Sequence, residues 1–279
     1  MLSRIIIFGY CLAISIFAFG CASSGSKDGT TPEMAKSVLK LRGYEVNETG
    51  FFKAIAREDA LSVAGFLNAG IDPNSKNEKG ETALTYALEN HETDKIARIL
   101  IRRADVSMQD DLGNSPLHLA VVKDKRKIFD LLIEKGAYVN VTGREGRVKN
   151  ITPLYAAVLK RREGQVKKLL KNGADPNLAD NEGAFPLIDA VLQKAANSNI
   201  VKMLLENGAQ VNKINNNGAP ALVYAVSNQD ITSDVRQEIV KLLLEKGADK
   251  SIKPNDGKDA LFWAKKMKNE KTVELLESK

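Results

Sequence analysis

The chain has 279 residues, of which 43% are hydrophobic and only 6% are aromatic. This composition favours helices packed through aliphatic side chains over a β-sandwich or a barrel, and the length fits two ordinary domains or one elongated repeat array. A net charge of +6 favours acidic partners or anionic surfaces without identifying one. The two cysteines, Cys11 and Cys21, exclude a disulfide framework for the rest of the chain.

The first 20 residues have the pattern of an export signal. A short segment with one cation, Arg4, precedes an almost entirely apolar run from Ile5 to Phe19. This run is shorter than the roughly 20 residues that a transmembrane helix needs, but it matches the core of a signal peptide. Small residues follow from Gly20 to Ser26. We therefore predict a signal peptide at residues 1–20.

The residues around Cys21 suggest a lipid anchor. The segment from Ala18 to Cys21 (AFGC) resembles the lipobox of bacterial lipoproteins. The resemblance implies that Cys21 is lipidated and begins the mature chain, with residues 21–31 as a Ser/Gly tether. Ala22 resembles a signal for outer-membrane sorting, so we expect a lipid anchor in the bacterial cell envelope, facing the periplasm. The alternatives are an ordinary secretory peptide or an uncleaved anchor.

Beyond the tether, one short pattern returns along the chain. A Leu-rich segment ending in Gly-Ala has its glycine at positions 136, 173, 208 and 247, and degenerate copies place the equivalent position at Gly70 and Arg103. The separations are 33, 33, 37, 35 and 39 residues. A base period of about 33 residues is the length of one helix-turn-helix unit with a loop. The sequence therefore predicts repeated helix pairs.

Each repeat carries the same local signals. The segments Ser115-Pro116-Leu117 and Thr152-Pro153-Leu154 supply an N-cap hydroxyl, a proline in the first turn and the first core residue. A short Ala-rich helix follows, and a second helix has apolar residues at i, i+3 and i+4. Glycine with positive φ ends the second helix, and segments rich in Asp, Asn and Gly turn the chain back.

These signals resemble the ankyrin repeat. Residues 115–120 (SPLHLA) match the helix-start motif of that family, and residues 173–177 (GADPN) match its exit motif. The resemblance covers roughly residues 47–279 and implies an all-α, ankyrin-type solenoid of about seven stacked helix-turn-helix repeats with β-hairpin-like finger loops. Thr31-Pro32-Glu33 is a further helix start, so the predicted domain covers residues 32–279 with a capping repeat at each end.

Some positions depart from the family pattern. Arg103 replaces a turn glycine, so we expect strain or a different geometry at that corner. The finger before Thr152 carries about four extra residues, and the turns near 195–199 and 229–235 are lengthened. The side chains expected to face inward in the C-terminal cap are Trp263, Val273, Leu275 and Leu276.

The sequence offers little for catalysis. An active site needs titratable groups that converge, and His91 and His118 are the only histidines. The resemblance implies that the His118 imidazole bonds between turn backbones, and we expect His91 to be solvated beside Glu92. The sequence has no Cys–His spacing for zinc, no phosphate-binding glycine loop and no nucleophile elbow. We predict no enzymatic activity, no metal and no cofactor.

The resemblance implies that partners bind to the fingertips and to the exposed side of the first helices, which together form a concave groove. On that pattern, an apolar line with polar neighbours crosses successive repeats. The alternative is that one or two of these aliphatic side chains pack between repeats as core. The predicted contact residues are Leu112, Val122, Lys123, Leu159, Lys160, Leu192 and Gln193.

Basic residues form a second candidate surface. Clusters at 123–127, 160–162 and 265–268 fall in the turn between the helices of three repeats, and stacking would align them on one edge. One interpretation is a set of solvated loops with cations near helix C-termini. The other is docking to an acidic protein or an anionic membrane. The inserted finger adds, on the opposite side of the groove, Arg144, Arg147 and Lys149.

From these patterns we expect a monomeric, non-catalytic scaffold that is anchored to a membrane and binds a protein partner through the groove. The family resemblance suggests partners such as a delivered toxin or effector, or an exported enzyme. The alternative is an envelope-organising structural protein that uses the basic edge, and an enzyme requires a composite site with a partner. We do not expect nucleic acid as a partner, because the basic turns lack interleaved aromatic residues.

Overall fold

The computed structural model describes residues 30–145, 148–194 and 196–278. These residues form fifteen α-helices and two short strands, in two compact units that divide between Gly136 and Ala137. The predicted lipidation site Cys21 and the predicted contact residue Arg147 lie outside the described residues. Among the helices of the described segments, none combines the length and the apolarity needed to cross a bilayer.

The first unit contains one single helix followed by three helix pairs. The first helices of successive pairs pack on one another, and the second helices α3 and α5 do the same. The elements are α1 (Pro32–Leu41), α2 (Glu48–Ala56), α3 (Ala60–Asn68), α4 (Ala83–Asn90), α5 (Lys95–Leu100), α6 (Pro116–Val122) and α7 (Arg126–Glu134). The pairs are α2 with α3, α4 with α5, and α6 with α7.

The second unit contains a β-hairpin and four helix pairs that stack in the same manner. Its elements are β1 (Gly143–Glu145), β2 (Val148–Ile151), α8 (Pro153–Leu159), α9 (Glu163–Lys171), α10 (Pro186–Leu192), α11 (Ser198–Glu206), α12 (Ala221–Ser227), α13 (Ser233–Glu245), α14 (Ala260–Lys266) and α15 (Glu270–Glu277). The predictions of an all-α class, of about seven helix-turn-helix repeats and of hairpin-like fingers are confirmed.

The hydroxyl caps begin the first helices as predicted. The side-chain oxygens of Ser115 and Thr152 accept hydrogen bonds from the backbone N–H groups of His118 and Tyr155, both at 3.1 Å. Proline follows each cap, where its missing N–H costs no helical hydrogen bond. The fifth residue of α4, α6, α8, α10, α12 and α14 is a buried alanine, which lets neighbouring first helices approach closely.

Glycine with a left-handed backbone ends most second helices. At Gly173, with φ of 83°, the next N–H, from Ala174, donates to the carbonyl of Leu169 at 3.1 Å, which is a Schellman cap. At Arg103, where a turn glycine is missing, the end of the second helix has a different geometry, as expected. Helix α5 ends early at Leu100, and the Arg103 guanidinium donates to Asn68 Oδ1 at 2.7 Å.

Asparagine side chains join the exit loops of successive repeats. In the second unit, Asn177 donates from Nδ2 to the carbonyl of Gly208 at 2.9 Å and accepts at Oδ1 from the backbone N–H of Gln210 at 2.8 Å. The same two bonds occur at Asn140 and Asn212. In the first unit, Asn74 accepts from the N–H of Asp105. The exit motif is therefore a structural connector between repeats.

Helix α1 has the features of the second helix of a repeat. Thr31 caps its start, and Gly43 ends it with φ of 78°, while the N–H of Tyr44 donates to the carbonyl of Leu39 at 3.0 Å. This is the same Schellman geometry as at Gly173, and α1 packs on α3. The C-terminal cap is less buried than predicted. Leu276 is buried, whereas the side chains that are only half-buried are Trp263, Val273 and Leu275.

Candidate partner-binding surface

The side chains of both histidines are largely buried. His118 is fully buried at the third position of α6. The expectation that His91 is solvated is wrong, because its side chain is only 7% exposed and Nδ1 lies 3.2 Å from Glu58 Oε1. Glu58 also accepts a hydrogen bond from Thr93 at 2.6 Å. The turn after α4 is thereby tied to the turn between α2 and α3.

The described residues contain no group of three or more His, Cys, Asp or Glu side chains that could hold a metal ion. The acidic residues of the fingers serve local turns instead. Asp110 Oδ1, for example, accepts from the backbone N–H groups of Leu112 and Asn114 at 3.0 and 2.8 Å. This is the geometry of an Asx turn, which fixes the fingertip without any ligand.

The first unit has a cleft between its first finger and the first helices. The cleft has a volume of about 330 Å³ and is lined by α2, α4 and the finger at residues 76–79. Its apolar floor is formed by Phe52 and Tyr86, whose rings meet edge to face with centroids 5.8 Å apart. The sequence analysis missed both residues, although each is an aromatic side chain on a first helix in a chain with few aromatics.

Charged side chains line the rim of this cleft, and one of them contacts the next finger. Lys76 of the first finger forms an ion pair with Asp111 of the next finger at 2.5 Å, and the N–H of Asp111 donates to the carbonyl of Gly80 at 3.0 Å. Leu112 follows Asp111 at the fingertip and is 57% exposed. An exposed apolar side chain beside a partly apolar cleft with charged rims is typical of a binding surface.

The other predicted contact residues of the first unit lie at the far end of α6. Val122 is half-buried, and Lys123 is exposed. Lys123 Nζ lies 2.7 Å from Glu89 Oε1, so its charge is paired on the previous repeat.

In the second unit the predicted contact residues divide into two groups. Leu192 is 40% exposed and Lys160 is exposed, whereas Leu159 is half-buried. The Gln193 amide donates to the carbonyl of Val158 at 2.9 Å, so it joins two repeats. The expected alternative of partial packing between repeats therefore applies to Leu159 and not to Leu192.

The inserted finger is a hairpin in which β1 and β2 pair antiparallel, with a shift in register between Gly143 and Arg144. Arg144 and Lys149 are exposed on it. The Lys149 N–H donates to Asn181 Oδ1 at 2.6 Å, and the Asn181 N–H donates to the carbonyl of Lys149 at 3.1 Å. The hairpin is thus fastened to the next finger, while the side chains of Arg144 and Lys149 are exposed.

A buried polar cluster lies where α8 and α10 meet. The Tyr155 hydroxyl donates to Asp189 Oδ2 and also lies 3.2 Å from Asp180 Oδ2. Burial raises the pKa of the Asp189 carboxyl, and the charges of Asp180 and Glu182 add to the rise. Burial likewise raises the pKa of Tyr155, with Asp189 adding to it. The sequence analysis did not identify this cluster.

Several cations of the basic turns are paired. Lys125 is buried and donates to the carbonyl of Glu92 at 3.0 Å, with Asp94 3.6 Å away. Arg126 pairs with Asp124 at 3.1 Å. In the last repeat, Lys265 pairs with Glu277 at 2.9 Å, and Lys266 lies over the Trp263 ring at 4.8 Å. These contacts favour the interpretation of solvated structural turns over that of a free basic edge.

Stacked helix pairs joined by fingers are the architecture of helical repeat proteins. In this class, successive repeats expose side chains on the surface of their first helices. The chain belongs to the ankyrin-repeat family. The family model for ankyrin repeats (3 copies) matches residues 51–143, 154–253 and 192–279. Ankyrin-repeat proteins are typically non-catalytic scaffolds for protein–protein interaction, and the predicted protein-binding role agrees with this membership in general terms.

Two curated relatives are forms of neurogenic locus notch homolog protein 1. The protein from Danio rerio is 34% identical over 162 residues, and that from Homo sapiens is 33% identical over 163 residues. Each match covers 57% of this chain but only 6% of the relative.

Two solved structures are similar to the chain. The ankyrin repeat protein EF0377 is 30% identical with a TM-score of 0.59, covering 72% of this chain and 98% of that one. The ankyrin repeat domain of Bcl-3, a member of the IkappaB protein family, is 24% identical with a TM-score of 0.63, covering 82% and 97%. The second likeness shows the fold alone.

Proposed function

We propose that this protein is a non-catalytic scaffold that binds a protein partner through the fingers and first helices, the surface we call the inner face. The observation that carries the proposal is the cleft of the first unit, which is lined by the rings of Phe52 and Tyr86, together with the exposed Leu112 on the next finger. Aromatic residues in partly desolvated clefts supply a large share of binding energy at protein interfaces. Ankyrin repeats generally mediate such interactions.

The proposal extends to the second unit with a different chemistry. There the inner face presents Leu192 beside the polar cluster of Asp189 and Tyr155, and the hairpin adds Arg144 and Lys149. An apolar contact flanked by charges of both signs suits a partner with a mixed surface. A delivered toxin or effector, or an exported enzyme, is a partner of this kind, and the scaffold acts as a monomer.

We propose that the scaffold works at the bacterial cell envelope, held in the outer membrane by lipid on Cys21 and facing the periplasm. The support is the sequence: Arg4, the apolar run from Ile5 to Phe19, and the small residues around Cys21. Mass spectrometry of the mature N-terminus tests this point. We expect removal of residues 1–20 and an acylated Cys21, and an unmodified Cys21 would contradict the anchor.

An affinity experiment tests the partner-binding surface. The chain is extracted in detergent with a C-terminal tag, and the proteins that remain bound in a stoichiometric amount are identified. We expect one partner, and we expect Phe52→Ser to weaken its retention at least tenfold. The matched control is Arg98→Ala, because Arg98 is exposed on α5, the second helix of the pair that carries Tyr86. Equal loss with both variants would refute the inner face.

The alternative function, an envelope-organising protein that docks through the basic turns, has less support. Lys123, Lys125 and Lys265 each lie within 4 Å of a carboxylate, so part of the positive charge is already neutralised. Exposed ion pairs of this kind leave little net field for attraction to an anionic surface. In the same detergent extract, lipid or envelope polymer without a stoichiometric protein would favour this alternative.

A further inference from the structure

Helix α1 exposes an apolar stripe at the N-terminal end of the first unit. Met34, Val38 and Leu41 are spaced by four and three residues and therefore lie on one side of the helix. Met34 is 46% exposed and Leu41 is 70% exposed, while Val38 is half-buried. Leu61 of α3 continues the stripe, since it lines a shallow groove together with Val38.

The stripe is presented by a fixed helix. Ala35 and Leu39 bury the adjacent side of α1 against α3. Arg42 locks the end of the helix, because its guanidinium donates to both carboxylate oxygens of Asp59 at 2.8 and 3.0 Å and to Ser62 Oγ at 2.8 Å. Within the part of the chain that the structure describes, each later second helix follows a first helix of its own repeat, and no such helix precedes α1.

The chemistry of the stripe fits a lipid surface better than a protein. It contains only Met, Val and Leu, and it lacks the Trp, Tyr and Arg side chains that dominate protein hot spots. Lys36 and Lys40 are exposed on the same helix. An amphipathic helix with an apolar side and lysines on its polar side typically lies in the interface of a bilayer, with the lysines attracted to anionic headgroups.

The position of α1 in the chain supports the same occupant. Ten residues, 22–31, separate Cys21 from Pro32, and even fully extended they span at most about 35 Å. If Cys21 is anchored, α1 is the element held nearest to the membrane, at a high effective concentration of lipid. We propose that the stripe of Met34, Val38 and Leu41 rests on the bilayer surface and orients the first unit, an inference that rests on the proposed anchor at Cys21.

Lipid-quenching of single labels on the full-length chain tests this proposal. An environment-sensitive fluorophore is attached to Met34→Cys and Leu41→Cys, with Lys36→Cys and Lys40→Cys as matched controls on the polar side of α1. The chains are reconstituted in vesicles that contain anionic lipid and nitroxide-labelled lipid. We expect at least twofold stronger quenching at positions 34 and 41 than at 36 and 40. Equal quenching at all four positions overturns the proposal.

Controls separate failure of the stripe from failure of the anchor. The chain without an introduced cysteine shows whether Cys21 is free to react, and flotation shows whether the chain is bound to vesicles. A chain that does not float refutes the anchor, and the stripe proposal with it. If the chain floats and the labels at 34 and 41 are shielded from water but not quenched by the lipid, the stripe proposal alone is refuted. In that case a protein surface, such as a second copy, covers α1.

Discussion

The two units share the same repeated helix pairs but carry different side chains at equivalent positions of their first helices. Tyr86 is the fourth residue of α4, and Asp189 is the fourth residue of α10. In the first unit, Tyr86 packs edge to face on Phe52 and forms the floor of an open cleft. In the second unit, Asp189 is largely buried and accepts a hydrogen bond from Tyr155. Cap, alanine and glycine positions therefore specify the fold, while the fourth helix position carries a different side chain in each unit.

The largest expected effect comes from a comparison of a core residue with a partly exposed residue on helix α8. Leu154 is fully buried at the second position of α8, whereas Leu159 is half-buried at its end. We expect Leu154→Ala to lower the free energy of unfolding by about 2–5 kcal/mol, because it leaves a cavity in a packed core. We expect Leu159→Ala to cost less than about 1.5 kcal/mol. Urea denaturation measures both, and equal losses would erase the distinction.

Two glycines of one repeat should respond with opposite signs. Gly173 has φ of 83°, so Gly173→Ala should lower the free energy of unfolding by about 1–2 kcal/mol. Gly164 is helical in α9, and an added Cβ there meets no atom within 4 Å. Gly164→Ala should raise the free energy of unfolding by about 0.5–1 kcal/mol. An equal loss at both positions would contradict this assignment to backbone conformation, because an added Cβ meets no atom within 4 Å at either glycine.

The asparagine connectors should matter more in the second unit. Asn177 makes two bonds to the next repeat, and we expect Asn177→Ala to cost about 1–2 kcal/mol. Asn74 accepts one bond, from the Asp105 N–H, because Arg103 has changed the corner. Asn74→Ala should therefore cost about half as much. Chemical denaturation of both variants measures the difference, and a larger loss at Asn74 would contradict this assignment.

The smallest expected effect is a pH dependence in the second unit. The pKa of Asp189 is raised by burial, so its contribution to stability is present below the unfolded-state pKa and is lost as pH rises through the folded-state pKa. Asp189→Asn should raise the free energy of unfolding by about 1 kcal/mol at pH 7 and leave it nearly unchanged at pH 3.5. Thermal or urea unfolding at both pH values measures this change.

Asp256 provides a control of opposite sign. A hydrogen bond from the Lys258 N–H holds the pKa of this exposed carboxyl below its usual value. Its contribution is therefore present above the unfolded-state pKa and is lost as pH falls through the folded-state pKa. Asp256→Asn should lower stability slightly at pH 7. A gain in stability at both sites would mean that local burial is not the cause of the effect at Asp189.

The repeated helix pairs and their ends could be predicted from the sequence because the signals that specify them are local. Ser115, Thr152 and Gly173 each act within a few residues of their own position, and all three have the predicted role. Gly43 carries the same signal and would have identified α1 as a second helix, since Leu39 precedes it at the usual spacing.

The site could not be predicted as well, because its contacts join residues about one repeat apart. Tyr155 and Asp189 are 34 residues apart, and Lys125 and Glu92 are 33 apart. His91 looked solvated beside Glu92 because its true partner, Glu58, lies one repeat earlier in the chain. In a repeat protein, a search for complementary side chains 31 to 37 residues apart would have found these pairs.

Site-specific photo-cross-linking in intact cells tests the central claim most directly. A photoreactive phenylalanine analogue is placed at Tyr86 on the inner face of the first unit, and in a separate chain at Arg98 on α5. We predict that the label at position 86 forms one discrete cross-linked product with a protein, and that the label at 98 forms none. A product from position 98 with none from 86 would contradict binding through the inner face.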